Sequence, residues 1–254
     1  MKKALSAEFS KLFSLPTTWI AIAVSLLIAP VITAIRAFQE LSEITKGVQT
    51  TVEYAIGFEE LGFGVTGIII LGVMAISSEY FTEGEESGTG RQITTSLTAT
   101  PSRFRFLLSK TAVVATVSAI LAMITIPITM GTVRLILDKH AYTFGAADMP
   151  RFIGVVCYWV LTALIALGIT FLTRHAALPL TILTLNTSVM TVTYLLTRIT
   201  PLANYLPDMA GIRMFHEIKD TGSTLTPLFG GIVMAVWAIA ILSIAAIQFC
   251  RRDV

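Results

Sequence analysis

Six stretches of this chain carry no charged side chain over a length that matches a bilayer: residues 16–35, 61–78, 111–133, 152–173, 176–197 and 227–250. A hydrocarbon layer about 30 Å thick demands ~18 to 25 such residues of a helix. Only a helix satisfies every backbone hydrogen bond within one lipid-exposed segment. The pattern therefore predicts an all-α integral membrane protein, one transmembrane domain over 1–254 with six transmembrane helices. Ahead of the first crossing, Leu5, Phe9, Leu12 and Phe13 recur at one-face helical spacing, with Lys2, Glu8 and Lys11 elsewhere around the wheel. That spacing predicts an N-terminal amphipathic interfacial helix over 1–15, ended by Pro16, which is tolerated at a helix start but not within. A solvated tail is the plain alternative. The mixed stretch containing Glu8 and Lys11 does not fit a secretory signal, so this segment is expected to be retained.

Composition agrees: 54% of residues are apolar and 13% charged, against about 45 to 50% and about 25% in soluble domains. Six crossings would put the N-terminus, the 79–110 connection, the Arg174-His175 turn and the C-terminus on one side. That side holds ten cations and six acids, net +4, and leaves eight cations and ten acids, net −2, for the other. The positive-inside rule then predicts cytoplasmic termini. Cys157 and Cys250 fall in apolar stretches and are read as small buried hydrophobes rather than a disulfide. The single Arg174-His175 interruption predicts a tight hairpin of neighbouring helices.

The connection from Glu79 to Lys110 is charged and broken by Gly84, Gly88 and Gly90; residues 91–99 can form a short helix, and Thr100-Pro101 supplies a cap for the next. Its landmarks are Glu79-Tyr80, Gly90-Arg91-Gln92, Pro101-Ser102-Arg103 and Lys110. In order and spacing they resemble the first inner loop of permease subunits of bacterial ABC-2 type transporters. Glu8-Phe9-Ser10-Lys11-Leu12 is similar to that family's entry helix, and Arg251-Arg252-Asp253 to its usual ending. The chain departs from the pattern in an acidic insertion, Glu83, Glu85 and Glu86, which shifts the register of the coupling segment by a few residues.

The resemblance implies a subunit of an exporter in the bacterial plasma membrane, moving a drug, antimicrobial peptide or lipid-like amphiphile. Two such permeases, identical or related, would form the pathway, and a cytoplasmic ABC ATPase pair would dock on 79–110 and bind the ATP and Mg. It assigns coupling to Glu79, Tyr80, Gly90, Arg91, Gln92, Pro101, Arg103 and Lys110. Arg91, Arg103 and Arg105 read equally well as cations among anionic lipid head groups. No G-x-x-x-x-G-K-[ST] loop is present, so this chain is expected to be no ATPase and to hold no cofactor itself. Neither a metal site nor a nucleic-acid partner is expected.

The 176–197 stretch is the most polar of the six, with Thr184, Asn186, Ser188 and Thr191 as candidates for a substrate path or dimer interface. Packing between helices is the plain alternative for such residues. His140, His175 and His216 lie at loops or helix ends, and no H-E-x-x-H occurs. The rival classes are a secondary carrier or channel needing no ATPase, and a non-transporting membrane assembly protein. The carrier is disfavoured because none of the six stretches contains a carboxylate.

Overall fold

In the computed structural model, which describes residues 2–47, 56–80, 102–188, 192–216 and 225–251, all the long apolar stretches but one form unbroken helices, and no strand occurs among the described residues. In chain order the helices are α1 (Lys2–Ser14), α2 (Pro16–Thr45), α3 (Phe58–Tyr80), α4 (Arg103–Leu137), α5 (Met149–Thr173), α6 (Ala177–Ser188), α7 (Val192–Thr197), α8 (Pro207–Ile212) and α9 (Pro227–Arg251). Five of them, α2, α3, α4, α5 and α9, are long and apolar enough to cross a membrane. Trp19, Leu27, Phe38, Ile153, Ile239 and Ile247 lie exposed around these helices. Large apolar side chains spread over the outside in this way suit a lipid surround rather than water. The chain is an all-helical, multi-pass membrane protein.

The helices outrun the apolar stretches that announce them: α2 continues ten residues past the expected end at Ile35, carrying Arg36 and Glu40 on its last turns. Proline also behaves differently from the expectation. Pro16 does open α2, where its missing N–H is an orphan anyway, but Pro30 and Pro127 lie inside α2 and α4. Neighbouring helices tolerate such breaks inside a bundle.

Helix α3 is the axis of the bundle, packed on α2, α4, α5 and α6. Its glycines explain how. A Cβ at Gly67 would stand 2.3 Å from the Ala21 carbonyl oxygen of α2, and one at Gly72 would stand 2.6 Å from the Ala163 carbonyl of α5. From α2, the small residues Thr18, Ala21, Ser25, Ala29, Thr33 and Ala37 form one buried stripe. Small residues on both sides let backbones approach, and that close packing is what holds helices together where lipid removes the hydrophobic drive. Trp159, fully buried in α5, fixes the register by donating its indole N–H to Leu61 O at 3.0 Å.

The 176–197 stretch is described as α6 to Ser188 and α7 from Val192, residues 189–191 lying outside the described residues; Thr193 N stands 3.5 Å from Asn186 Oδ1, a contact that one straight helix rising about 1.5 Å per residue could not make. Its start does follow the predicted hairpin, since Arg174 adopts the left-handed conformation (φ 57°) after α5. After α7 a 3-10 turn (Pro201–Tyr205) and α8 fold back into the bundle, with Trp237 of α9 donating to Tyr205 O at 2.9 Å. Both ends of the described chain lie at one end of the bundle, the near end: Arg103 at the start of α4 donates to Phe249 O at 2.9 Å, and α1 packs on α4. Cys157 and Cys250 are both exposed, which corrects their reading as buried hydrophobes: each points outward from a helix of which only one face is packed.

Candidate functional site

Burying an ammonium or carboxylate is costly unless an opposite charge and hydrogen bonds replace water. At the near end three helices bury three such groups together, with a fourth at their rim. Lys110 of α4, 5% exposed, extends its Nζ to Glu8 Oε2 of α1 at 2.7 Å, to Glu79 Oε1 of α3 at 2.9 Å and to the Ala75 carbonyl at 3.0 Å. Lys11 closes the cluster from its rim, 3.4 Å from Glu8 and 3.3 Å from Glu79. Two carboxylates and two ammoniums balance. The three contacts on Lys110 match the three donors of an ammonium. Beside them Ser14 and Ser78 line a small open cleft.

Sequence reasoning singled out these residues in two unrelated groups, Glu8 and Lys11 in the entry helix, Glu79 and Lys110 at the borders of the inner loop. The structure makes them one site. Leu12 is buried, Leu5 and Phe9 pack against the core, and Phe13 is exposed. Glu8, expected on the polar side of α1, faces into the bundle. Two other coupling candidates take different partners: Tyr80 lies under the Arg174 guanidinium, 5.6 Å from its ring centre, and Arg103 serves Phe249. The cap of α4 falls at Ser102, whose hydroxyl accepts from Arg105 N, rather than at Thr100-Pro101. Gly90, Arg91, Gln92 and Pro101, with the expected 91–99 helix, lie outside the described residues.

Two further polar clusters were invisible in the pattern. At the far end Arg36 of α2 pairs with both Glu59 and Glu60 of α3, the latter fully buried at 2.8 Å and also accepting from Gly57 N at 2.7 Å; His216 Nε2 stands 3.3 Å from Glu59. Adjacent, Arg151 stacks on Phe58 at 4.1 Å while its Nε donates to Phe215 O. Of the pathway candidates, Thr184 donates to its own helix at Leu180 O, Thr191 lies outside the described residues, and of Ser188 only the backbone is described. Asn186 does more: its Nδ2 donates to Asp208 Oδ2 of α8 at 2.7 Å and its Oδ1 accepts from Thr193 Oγ1 of α7 at 2.9 Å. Burial raises the Asp208 carboxyl above the usual carboxylate range, opposed by hydrogen bonds from Thr193 and Asn186. Asp208 closes the Ala203-Asn204-Tyr205-Leu206-Pro207-Asp208 turn sequence and read there as a turn residue, which gave no hint of this contact because it depends on tertiary packing.

No protein-family model matches the chain, and no curated protein matches it. Its geometry has to speak alone: a helical membrane bundle with one buried ion cluster tying α1, α3 and α4 together at the end where both termini lie. Such a cluster ties the three helices to one another, and no group of metal ligands occurs among the described residues.

Proposed function

We propose that this chain is the membrane-spanning permease subunit of an ATP-driven ABC-2 type exporter in the bacterial plasma membrane. In this reading it crosses six times with cytoplasmic termini, α6 and α7 together making the fifth crossing and α1 lying in the interface. A second permease completes the pathway, an ABC ATPase pair supplies ATP hydrolysis, and the cargo is a drug, antimicrobial peptide or lipid-like amphiphile. The observation that supports it best is the Glu8–Lys11–Glu79–Lys110 cluster. The segment between α3 and α4 is anchored at both ends in the same buried ion pairs that hold α1. A motor pushing on that segment would move three helices as one unit, which is what coupling ATP closure to a bundle with two states requires.

Purification of the tagged chain in mild detergent, with mass spectrometry of what accompanies it, tests the reading. An ABC ATPase in near-equal amount is the expected result. A chain that comes out alone, from membranes in which a known ABC assembly survives, overturns it. Glu79→Gln should fold, since Lys110 keeps Glu8, yet release ATP hydrolysis from transport; unchanged transport in it and in Arg91→Ala would remove the coupling role.

One observation favours the rival carrier. Asp208 reaches Asn186 inside the bundle, and a carboxylate within a membrane domain is what an ion-driven carrier uses.

A further inference from the structure

After α7 the chain runs along the outside of the bundle, with Ile199, Leu202 and Tyr205 exposed, and turns inward at Ala203 and Asn204 and again at Met209 and Ala210 of α8. Tyr158 lies nine residues into α5 and Trp237 ten residues into α9, about 14 and 15 Å along their axes. A Cβ on Gly211 would touch the Tyr158 ring at 2.6 Å, and Trp237 bonds Tyr205 O. Asp208, between Tyr205 and Gly211 in the chain, is thereby carried to about the middle of a ~30 Å hydrocarbon layer. Among the described residues no lysine, arginine or histidine pairs with it.

Its partners are neutral, and their donors can be counted. Asn186 Nδ2 donates to Asp208 Oδ2; the single Thr193 hydroxyl proton is wanted both by Asn186 Oδ1, at 2.9 Å, and by the Asp208 carboxylate. Asn186 Oδ1 otherwise has Thr193 N, at 3.5 Å. Backbone N–H groups of Asp208 and Met209 also reach the carboxylate. With Asp208 ionised, Thr193 can serve only one of its two acceptors. With Asp208 protonated the three side chains close a ring: the carboxyl O–H donates to Thr193 Oγ1, Thr193 to Asn186 Oδ1, and Asn186 back to Asp208 Oδ2. Each of the three side chains then both donates to and accepts from a ring partner.

We propose that Asp208, Thr193 and Asn186 form a proton-binding site where α6, α7 and α8 meet. The carboxylate takes one proton from water, becomes a neutral acid within the ring, and returns the proton when the ring opens. The site demands no choice between exporter and carrier, because it concerns proton exchange by this chain alone. Of the titratable groups nearby, Tyr158 of α5 is the one whose charge couples to Asp208. Tyr194 of α7 is held by Arg198, Arg213 beyond α8 donates to Asn204, Tyr205 lends its carbonyl to Trp237, and α6 carries no ionisable side chain.

Infrared difference spectroscopy on the purified full chain in lipid nanodiscs, titrated with acid and base, tests this without any partner. Expected is a protonated-carboxyl carbonyl band whose midpoint reports at least tenfold higher proton affinity than an ordinary aspartate, pKa about 3.9. The band should vanish in Asp208→Asn and shift in frequency in Thr193→Val and Asn186→Leu, which remove its ring partners. A spectrum identical in wild type and Asp208→Asn, or a band untouched by both partner variants, overturns the proposal. Thermal melting supplies a second reading. A carboxyl whose folded-state affinity is raised contributes stability that is full below the unfolded pKa and lost as pH rises through the folded one. Asp208→Asn should therefore melt at or above wild type at neutral pH and below it in acid; the reverse order would equally overturn the proposal.

Discussion

Lys110 illustrates how one side chain binds the near end together. Its ammonium is shared by carboxylates from two other helices and by the Ala75 carbonyl, with 5% exposure. Removing one member of a buried ion pair strands the others, typically at ~3–5 kcal/mol. Lys110→Met is therefore expected to destabilise the chain by about that much, and Glu79→Gln by less, because Lys110 retains Glu8. In a thermodynamic cycle built on these two and their double variant, coupling of ~1–3 kcal/mol is expected, whereas independent sites would add within about 0.5 kcal/mol. Additive behaviour would mean that the two side chains merely share a location. Sequence reasoning named all four charges of this cluster through the resemblance, Glu8 and Lys11 within the entry helix and Glu79 and Lys110 at the borders of the inner loop, and missed that Glu8 turns inward. The apolar face of α1 is legible from spacing, but which neighbour it meets is a long-range fact that helical periodicity does not contain. For the same reason Asp208 passed as a turn residue: its importance comes from Asn186, distant in sequence and adjacent in space.

At the scale of elements, the length and order of α2, α3, α4, α5 and α9 follow from runs free of charge, since lipid leaves the backbone no other solution. What those runs do not reveal is contact. Gly67 and Gly72 occur in an apolar helix like any other glycine, yet one meets the α2 backbone and the other the α5 backbone. Gly67→Val is accordingly expected to push α2 from α3 and lower the melting temperature by several degrees. Gly131→Ala, with nothing within 4 Å of the added methyl, should leave it unchanged or raise it slightly, as alanine is the better helix former by about 1 kcal/mol. An unchanged melting temperature in Gly67→Val would show that close backbone approach does not hold α2 against α3. The break between α6 and α7 was equally hidden. Apolar content reads a continuous span from 176 to 197; Asn186 and Thr193, seven residues apart, are bonded to each other and to the infolded α8, and that polar contact belongs to the tertiary structure.

For the whole molecule the sixth passage decides how the bundle sits in a membrane. The near end holds α1, the start of α4 and the end of α9, so an even number of passages is expected between the described ends of the chain, and in the proposed reading α6 with α7 supplies the one that the five long helices lack. His175, between α5 and α6, and Thr226, ahead of α9, are both exposed and flank that passage. In a variant whose Cys157 and Cys250 are replaced by alanine, single cysteines at these positions separate the alternatives. With sealed right-side-out vesicles and a membrane-impermeant maleimide, Thr226→Cys is expected to label at once and His175→Cys only after permeabilisation. Lys139→Cys, at the far end after α4, should behave like Thr226→Cys, and Arg105→Cys, at the near end, like His175→Cys. Opposite accessibility in every pair would keep the crossings and invert the orientation, placing the charge excess of the near end outside. Like behaviour of His175→Cys and Thr226→Cys would remove the sixth crossing. Asp208 would then no longer lie between two faces of the membrane, and the near-end cluster would not share a side with the terminus that follows α9.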